Sequence, residues 1–221
     1  MGTLSIVATP IGNLKDITLW AIEILNSVDY IACEDKRVTG KLLNHLGIQK
    51  KMLAINDFNE QEKTPQIVSI LLNGQNIALV SDAGTPLVSD PGFKLVRESV
   101  KAGIKVESIP GVSALISALV ISGMPCDKFT FIGYLPKKDG KKMQLLNDIK
   151  KSRECLKSTV ILYESPFRVL KTLNSVKDAF GDIEVVICRE LTKIHEEVMR
   201  GKLTDILGRK MTLKGEFVLI F

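Results

Sequence analysis

The chain has 221 residues, of which 45% are apolar and 25% are charged. A chain this long and this apolar buries enough surface to offset its ordering entropy, so intrinsic disorder is excluded. Thirty basic residues against 25 acidic ones give a net charge of +5, which by itself says little about an anionic partner. The longest mostly apolar run, residues 112–124, is too short to cross a bilayer, and no secretory signal is visible. We therefore expect no membrane association and a cytoplasmic location.

Short apolar runs alternate with helical patterns through the first half of the chain. Strands are predicted at residues 4–8, 30–33, 52–55, 77–81 and 105–109, with helices between them at 16–27, 39–46, 64–73 and 92–102. Three of these helices are followed by a glycine, the residue that most easily ends a helix in the left-handed conformation: Gly47, Gly74 and Gly103. This alternation predicts an α/β fold with a largely parallel sheet.

A second series of elements follows a Pro110-Gly111 turn. The small-residue run from Val112 predicts a well-buried helix. Further strands are predicted at residues 129–133, 159–163, 184–188 and 216–221, with helices at 142–152 and 166–180. We place a domain boundary near Pro110, which gives an N-terminal α/β domain (1–110) and a C-terminal α/β domain (111–221).

Three loops rich in Gly and Pro follow predicted strands, at residues 9–13, 81–92 and 110–114. Ligands of open α/β sheets bind outside the carboxyl ends of the strands. Any one of these loops is explained by turn chemistry, but three at equivalent positions favour a shared pocket for a small polar ligand. No GxxxxGK[ST] or GxGxxG motif is present, which argues against a P-loop NTPase and a standard dinucleotide-binding turn. Four cysteines without a CxxC pair or a histidine cluster indicate no metal site.

Four consecutive charged residues follow the strand at 30–33: Glu34, Asp35, Lys36 and Arg37. A solvated helix start explains one or two of them. The alternative is a catalytic site in which a carboxylate accepts a proton. A similar charged pattern, Arg189 to Lys193, follows the strand at 184–188.

The positive charge is concentrated in residues 136–157, where eight basic residues face three acidic ones. The difference, +5, equals the net charge of the whole chain. One interpretation is a solvated helix face, a common use of lysine. The other is a surface that contacts phosphates and adds affinity without sequence specificity.

Motifs along the full chain resemble the ribosomal RNA small-subunit methyltransferase I family, within the tetrapyrrole methylase-like class of S-adenosylmethionine enzymes. They are VATPIGNL at 7–14, CED at 33–35, VSDAGTPLVSDPG at 80–92, FIGYLP at 131–136, YESP at 163–166, RELTK at 189–193 and KGEF at 214–217. Lys36 stands where the family usually has Thr, and residues 56–58 replace a histidine-bearing segment. Family members also usually continue well beyond the Lys-Gly-Glu motif.

The resemblance implies two α/β domains with the methyl donor, S-adenosylmethionine, bound in the cleft between them, no metal, and a homodimer. It implies 2′-O-methylation of a cytidine in the decoding region of 16S rRNA in the small ribosomal subunit. By position, the family's donor pocket falls on Pro10, Asp82, Ala83, Gly84, Thr85, Leu87, Ser113, Ala114, Tyr134 and Leu135.

For the reaction itself, we expect Asp35 or Glu34 to accept the proton of the ribose hydroxyl, with Glu190 as a rival base. Arg37 and Lys36 would orient the RNA backbone, and the basic segment would bind phosphates through Lys137, Lys138, Lys141 and Lys142. Two alternatives stay open: a methyltransferase that acts on a tetrapyrrole precursor, and a non-catalytic RNA-binding protein with the same fold.

Overall fold

The computed structural model describes residues 1–221, and the chain divides into two compact units, Met1–Ser113 and Ala114–Phe221. The boundary predicted near Pro110 lies three residues before this division. Each unit is built on one five-stranded sheet.

The first unit alternates strands and helices from its first residues, as predicted. A short 3-10 turn, Leu14–Asp16, precedes its first helix. The elements are β1 (Thr3–Val7), α1 (Leu19–Ser27), β2 (Tyr30–Cys33), α2 (Lys36–His45), β3 (Lys51–Ala54), α3 (Glu60–Leu72), β4 (Ile77–Val80), α4 (Phe93–Lys101) and β5 (Lys105–Ile109). All neighbouring strands are parallel, in the order β3-β2-β4-β1-β5.

This sheet is covered on both faces, which explains why its middle strand, β4, is apolar throughout. In β4, Ile77 and Leu79 belong to one core cluster, whereas Ala78 and Val80 belong to another. The first cluster packs with residues of α3 and α4, and the second with residues of α1 and α2. Successive strand residues point to opposite faces, so every position of β4 is buried.

Five helix starts, those of α1, α2, α3, α6 and α7, differ from the prediction by three or four residues, and capping side chains explain the first two. The first helix begins at Leu19 and not at residue 16, because the Thr18 hydroxyl accepts a hydrogen bond from the Ala21 amide at 3.0 Å. The second begins at Lys36 and not at residue 39, because Asp35 caps it. Consequently Lys36 and Arg37 lie in the first turn of α2.

The second unit contains α5 (Ala114–Ser122), β6 (Phe129–Tyr134), α6 (Asp139–Cys155), β7 (Thr159–Glu164), α7 (Val169–Phe180), β8 (Glu184–Arg189), β9 (Glu197–Lys202), α8 (Leu203–Gly208) and β10 (Phe217–Ile220). Its strand order is β6-β7-β10-β8-β9, and only β6 and β7 are parallel. This sheet is therefore mixed, unlike the parallel sheet of the first unit. The edge strand β9 and the short helix α8 were not predicted, because β9 buries only Met199 and carries no clear apolar alternation.

Helix α5 is not the well-buried helix that the sequence predicted. It packs on β7 and β10 through one face, and its opposite face is open, with Val120 68% exposed and Ile116 44% exposed. Apolar composition alone does not tell which face of a helix finds a partner. None of the helices combines the length and the apolar character that a membrane span requires.

Candidate active site

The three glycine- and proline-rich loops are joined to one another at the carboxyl edge of the first sheet. They follow β1, β4 and β5, which are neighbouring parallel strands. Thr9 and Gly84 pair as an isolated antiparallel bridge, with N–H···O distances of 2.8 and 3.0 Å. The Thr85 hydroxyl donates to the Val112 carbonyl at 3.2 Å, which ties the second loop to the third.

Two glycines permit this close approach. A Cβ added to Gly84 would lie 3.2 Å from Cγ2 of Ile11, and its φ of +82° is one that other residues rarely adopt. A Cβ on Gly111 would lie 2.8 Å from the Cβ of Ala8. Of the predicted donor residues here, Pro10 and Gly84 are buried, Asp82 and Ala83 are exposed, and Thr85 and Leu87 are intermediate. The glycines of these loops are thus tightly packed against neighbouring residues, whereas Asp82 and Ala83 are open to solvent.

Asp35 has a structural task that the sequence did not reveal. Its Oδ1 accepts the Arg37 amide at 2.8 Å and so caps α2, while its Oδ2 lies 2.6 Å from Nη2 of Arg37. The hydrogen bonds from the Arg37 side chain and amide lower the pKa of Asp35 to about 2. A carboxylate with so low a pKa is a weak proton acceptor. The Arg37 side chain itself is 88% exposed.

Glu34 lies in the opposite electrostatic setting. It belongs to an acidic group (Glu34, Asp57, Asp82 and Asp90) at the carboxyl edge of the same sheet. Burial, followed by the charges of Asp82, Asp90 and Asp57, raises the pKa of Glu34. Burial also raises the pKa of Asp82 and brings that of Asp90 to about 6. The Asp35 amide donates to Oδ1 of Asp82 at 3.1 Å and so links the charged segment to the second loop.

A buried carboxylate that the sequence analysis did not single out fixes the end of the loop that carries Asp82 and Asp90. Glu60, 5% exposed, accepts hydrogen bonds on Oε1 from the amides of Gly92 and Lys94, at 3.0 and 2.8 Å. These amides begin α4 directly after the loop that carries Asp82 and Asp90. Glu60 follows Asn59, the N-cap residue of α3, and acids are common in the first turn of a helix. The sequence around Glu60 therefore gives no indication of its distant hydrogen-bond partners.

In the second unit, the residues predicted to line the donor pocket lie around Tyr163. Tyr134, the last residue of β6, has its ring 6.0 Å from that of Tyr163 in an edge-to-face arrangement. The Leu115 amide, next to Ala114, donates to the Tyr163 hydroxyl at 3.2 Å. Leu135 is 2% exposed and belongs to the core, whereas Tyr134 is 55% exposed, so Tyr134 is the residue of this pair that is open to a ligand. Ser113 is the last residue of the first unit.

Glu190 stabilises a loop of the second unit. Its Oε1 accepts from Nζ of Lys193 at 2.8 Å and from the Glu216 amide at 3.0 Å, and Gly215 packs directly against it. Burial raises the pKa of Glu190, but these hydrogen bonds outweigh burial, so the pKa lies below its ordinary value. The RELTK and KGEF motifs therefore interlock through Glu190, and its role as rival base stays a prediction.

The basic segment contains both exposed and buried lysines. Lys137, Lys138 and Lys141 are exposed at the start of α6. Lys142, by contrast, is 2% exposed, and its Nζ lies 3.6 Å from Oδ1 of Asp139. Helical spacing turns Lys142 toward the interior of the unit, so it does not belong to a phosphate-binding surface.

The sequence profile of the tetrapyrrole (corrin/porphyrin) methylases matches residues 3–207 of this chain. The chain belongs to the tetrapyrrole methylase family. Relatives named "Ribosomal RNA small subunit methyltransferase I" confirm the resemblance predicted from the motifs. The relative from Halalkalibacterium halodurans is 46% identical over 99% of this chain and 75% of its own length. The relative from Vibrio cholerae is 49% identical over 98% of this chain and 76% of its own length. The relative from Thermotoga maritima is 44% identical over 94% of this chain and 91% of its own length.

Two solved structures share the fold. A diphthine synthase superposes with a TM-score of 0.74 at 14% identity, and covers 99% of this chain and 89% of its own. A uroporphyrin-III-C-methyltransferase from Thermus thermophilus superposes with a TM-score of 0.64 at 18% identity, with 99% and 91% covered. The α/β class predicted from sequence is confirmed. Among the described residues, no group of three or more His, Cys, Asp or Glu side chains is arranged to hold a metal ion.

Proposed function

We propose that this protein transfers a methyl group from S-adenosylmethionine to the 2′-oxygen of a cytidine ribose in the decoding region of 16S rRNA, in the small ribosomal subunit. The relatives at 44–49% identity carry the name of a small-subunit rRNA methyltransferase. The observation that carries the proposal is the set of three interlocked loops beside the acidic group, at the edge where α/β sheets bind their ligands.

The acidic group fits the methyl donor, because S-adenosylmethionine supplies its methyl group from a positively charged sulfonium. Three of the carboxylates already have raised pKa values, since they are partly buried near one another. A cation bound beside them relieves this repulsion and is stabilised in turn. In our proposal the loops at Pro10 and Asp82–Leu87 hold the donor, and the resemblance adds Ser113, Ala114, Tyr134 and Leu135 as further donor contacts.

Glu34 is our preferred proton acceptor. The ribose hydroxyl is a weak nucleophile and must lose its proton during or after transfer. Of the two adjacent carboxylates, Glu34 has the raised pKa, whereas Asp35 is occupied by its cap and by Arg37. The exposed Arg37 and Lys36, together with Lys137, Lys138 and Lys141, supply positive charge for the RNA backbone.

The deciding experiment measures transfer of labelled methyl from S-adenosylmethionine to small ribosomal subunits. Naked 16S rRNA and a porphyrin precursor serve as parallel substrates. We expect label in the rRNA, at one cytidine 2′-oxygen after nuclease digestion. Label in the porphyrin alone would establish the tetrapyrrole alternative, and RNA binding without donor binding would establish a non-catalytic protein. The proposed homodimer is tested separately by light scattering.

A further inference from the structure

The YESP motif forms a buried carboxylate site at the end of β7 that the donor loops do not account for. The Glu164 side chain has no exposed surface. Its Oε1 accepts the Ser165 amide at 2.8 Å, and its Oε2 accepts the Thr172 hydroxyl from α7 at 2.6 Å. These bonds fix the turn between β7 and α7. A carboxylate enclosed in this way is costly to bury unless a cation completes its partners.

Arg168 supplies that cation and also contacts the backbone of Leu135. Its Nε lies 3.4 Å from Oε1 of Glu164, and its Nη2 donates to the Leu135 carbonyl at 2.6 Å. A guanidinium presents its donors in a rigid planar fork, so the contact with Glu164 orients the contact with Leu135. The hydrogen bond to Leu135 is charge-assisted and short.

The end of β6 needs this support because its ladder with β7 is irregular. The register shifts between Phe131 and Gly133, and the final pair is Tyr134 with Tyr163. Leu135 lies beyond that pair, so strand pairing does not fix its carbonyl. Its side chain is anchored in the core and its carbonyl is anchored by Arg168. Together the two anchors hold Tyr134, 55% exposed, in one orientation.

We propose that Arg168, held by Glu164, is a positioning residue for the methyl donor, and that it acts by fixing the backbone at Tyr134–Leu135. This inference rests on the proposed function, in which Tyr134 and Leu135 contact S-adenosylmethionine. A backbone segment that is already ordered loses little conformational entropy when it binds a ligand. Loss of the Arg168 hydrogen bond to Leu135 should therefore weaken donor binding.

The test uses the full chain and the variants Arg168→Met, Arg168→Lys and Glu164→Gln. Calorimetry measures S-adenosylmethionine affinity, and steady-state transfer measures the KM for donor and for RNA separately. Arg168→Met should raise the donor Kd and donor KM about tenfold through loss of one charge-assisted hydrogen bond, with the RNA KM unchanged. Glu164→Gln should act in the same direction, and Arg168→Lys should recover part of the affinity.

The matched control is Lys171→Ala, which removes a cation of the same helix, 63% exposed and paired with Asp139. It should leave donor binding unchanged. A merely structural role for Arg168 would lower the melting temperature and the active fraction with both KM values unaltered, and that result overturns the inference. If the wild-type protein binds no S-adenosylmethionine, the proposed function fails instead, so the two failures are distinguishable.

Discussion

At the scale of single residues, Glu34 and Asp35 are adjacent in sequence but differ in what surrounds their carboxylates. Arg37 satisfies Asp35 and lowers its pKa to about 2. Burial and the neighbouring acids Asp82 and Asp90 raise the pKa of Glu34. Both residues are equally plausible bases from the sequence, and only their hydrogen-bond partners separate them.

The first prediction compares Glu34→Gln with Asp35→Asn. Loss of a general base typically costs about 10²-fold or more in rate, so Glu34→Gln should slow single-turnover methyl transfer by that factor with donor affinity nearly intact. Asp35→Asn keeps a side-chain acceptor for the cap and should slow transfer far less. The reverse order of the two rates would return the role of base to Asp35.

The pKa of Asp90 gives a second prediction, about stability and pH. Because burial raises the folded-state pKa to about 6 from 3.8, the folded protein binds more protons than the unfolded chain between these values. Ionisation of Asp90 therefore lowers the stability of the fold as the pH rises from about 4 to about 6. The whole of this loss is present above pH 6. Asp90→Asn should raise the melting temperature at pH 7.5, by a margin that shrinks toward pH 4. A margin that is constant with pH, as expected for the exposed Asp127→Asn control, would contradict the assigned pKa.

Gly84 offers a third prediction with a matched control in the same unit. Gly84 and Gly74 have φ values of +82° and +90°, but only Gly84 has atoms within 4 Å of its added Cβ. Alanine at either position should cost about 1 kcal/mol of folding free energy, because of the left-handed backbone. Only Gly84→Ala should also weaken S-adenosylmethionine binding, measured by calorimetry. Equal donor affinities in the two variants would remove Gly84 from the site.

At the scale of elements, the start of α4 depends on a carboxylate from another helix. Glu60 of α3 accepts the Gly92 and Lys94 amides, and so fixes the loop that carries Asp82 and Asp90. Glu60→Ala should lower the free energy of unfolding by about 2 kcal/mol through the loss of these hydrogen bonds to a charged group. Glu62→Ala on the same helix, where the side chain is 73% exposed, should change it by less than about 0.5 kcal/mol. Denaturant unfolding checks both, and equal losses would refute the capping role.

The sequence predicts strands well where both faces of the strand are buried, and it predicts helix ends well where a glycine follows the helix. All five strands of the first sheet were predicted within one residue at each end. Gly47, Gly74 and Gly103 all have positive φ values after their helices. Prediction failed at β9 and at several helix starts, among them that of α2, because an edge strand has little apolar pattern and a side-chain cap acts through geometry that spacing does not encode.

At the scale of the whole molecule, the net charge of +5 lies within one segment, and the structure divides that segment into exposed and buried parts. Lys137, Lys138 and Lys141 face solvent, whereas Lys142 is enclosed. Glutamate at the three exposed positions should weaken binding of small subunits and flatten its logarithmic salt dependence by roughly 2, since each phosphate contact contributes somewhat less than one to the slope. Donor affinity should not change.

The control for this charge reversal is glutamate at Lys51, Lys101 and Lys105, which carries the same change in net charge. Lys51 and Lys105 begin their strands, so they lie at the amino edge of the first sheet, opposite to the loops of the site. Salt-dependent binding should stay close to wild type in this variant. Equal weakening in both variants would mean that net charge, and not the basic segment, governs RNA affinity.

Sequence alone determined the α/β class, the family and the loops of the candidate site, because strand periodicity, glycine turns and short motifs are local properties of the chain. Tertiary structure decided which side chains the site can use. It placed Asp35 in a cap, Lys142 in the interior and Glu190 in a structural loop. It also brought Glu60 and Arg168 to backbone groups that lie 32 to 34 residues away in sequence. Burial and long-range hydrogen bonds set these roles, and both depend on partners that only the folded chain brings together.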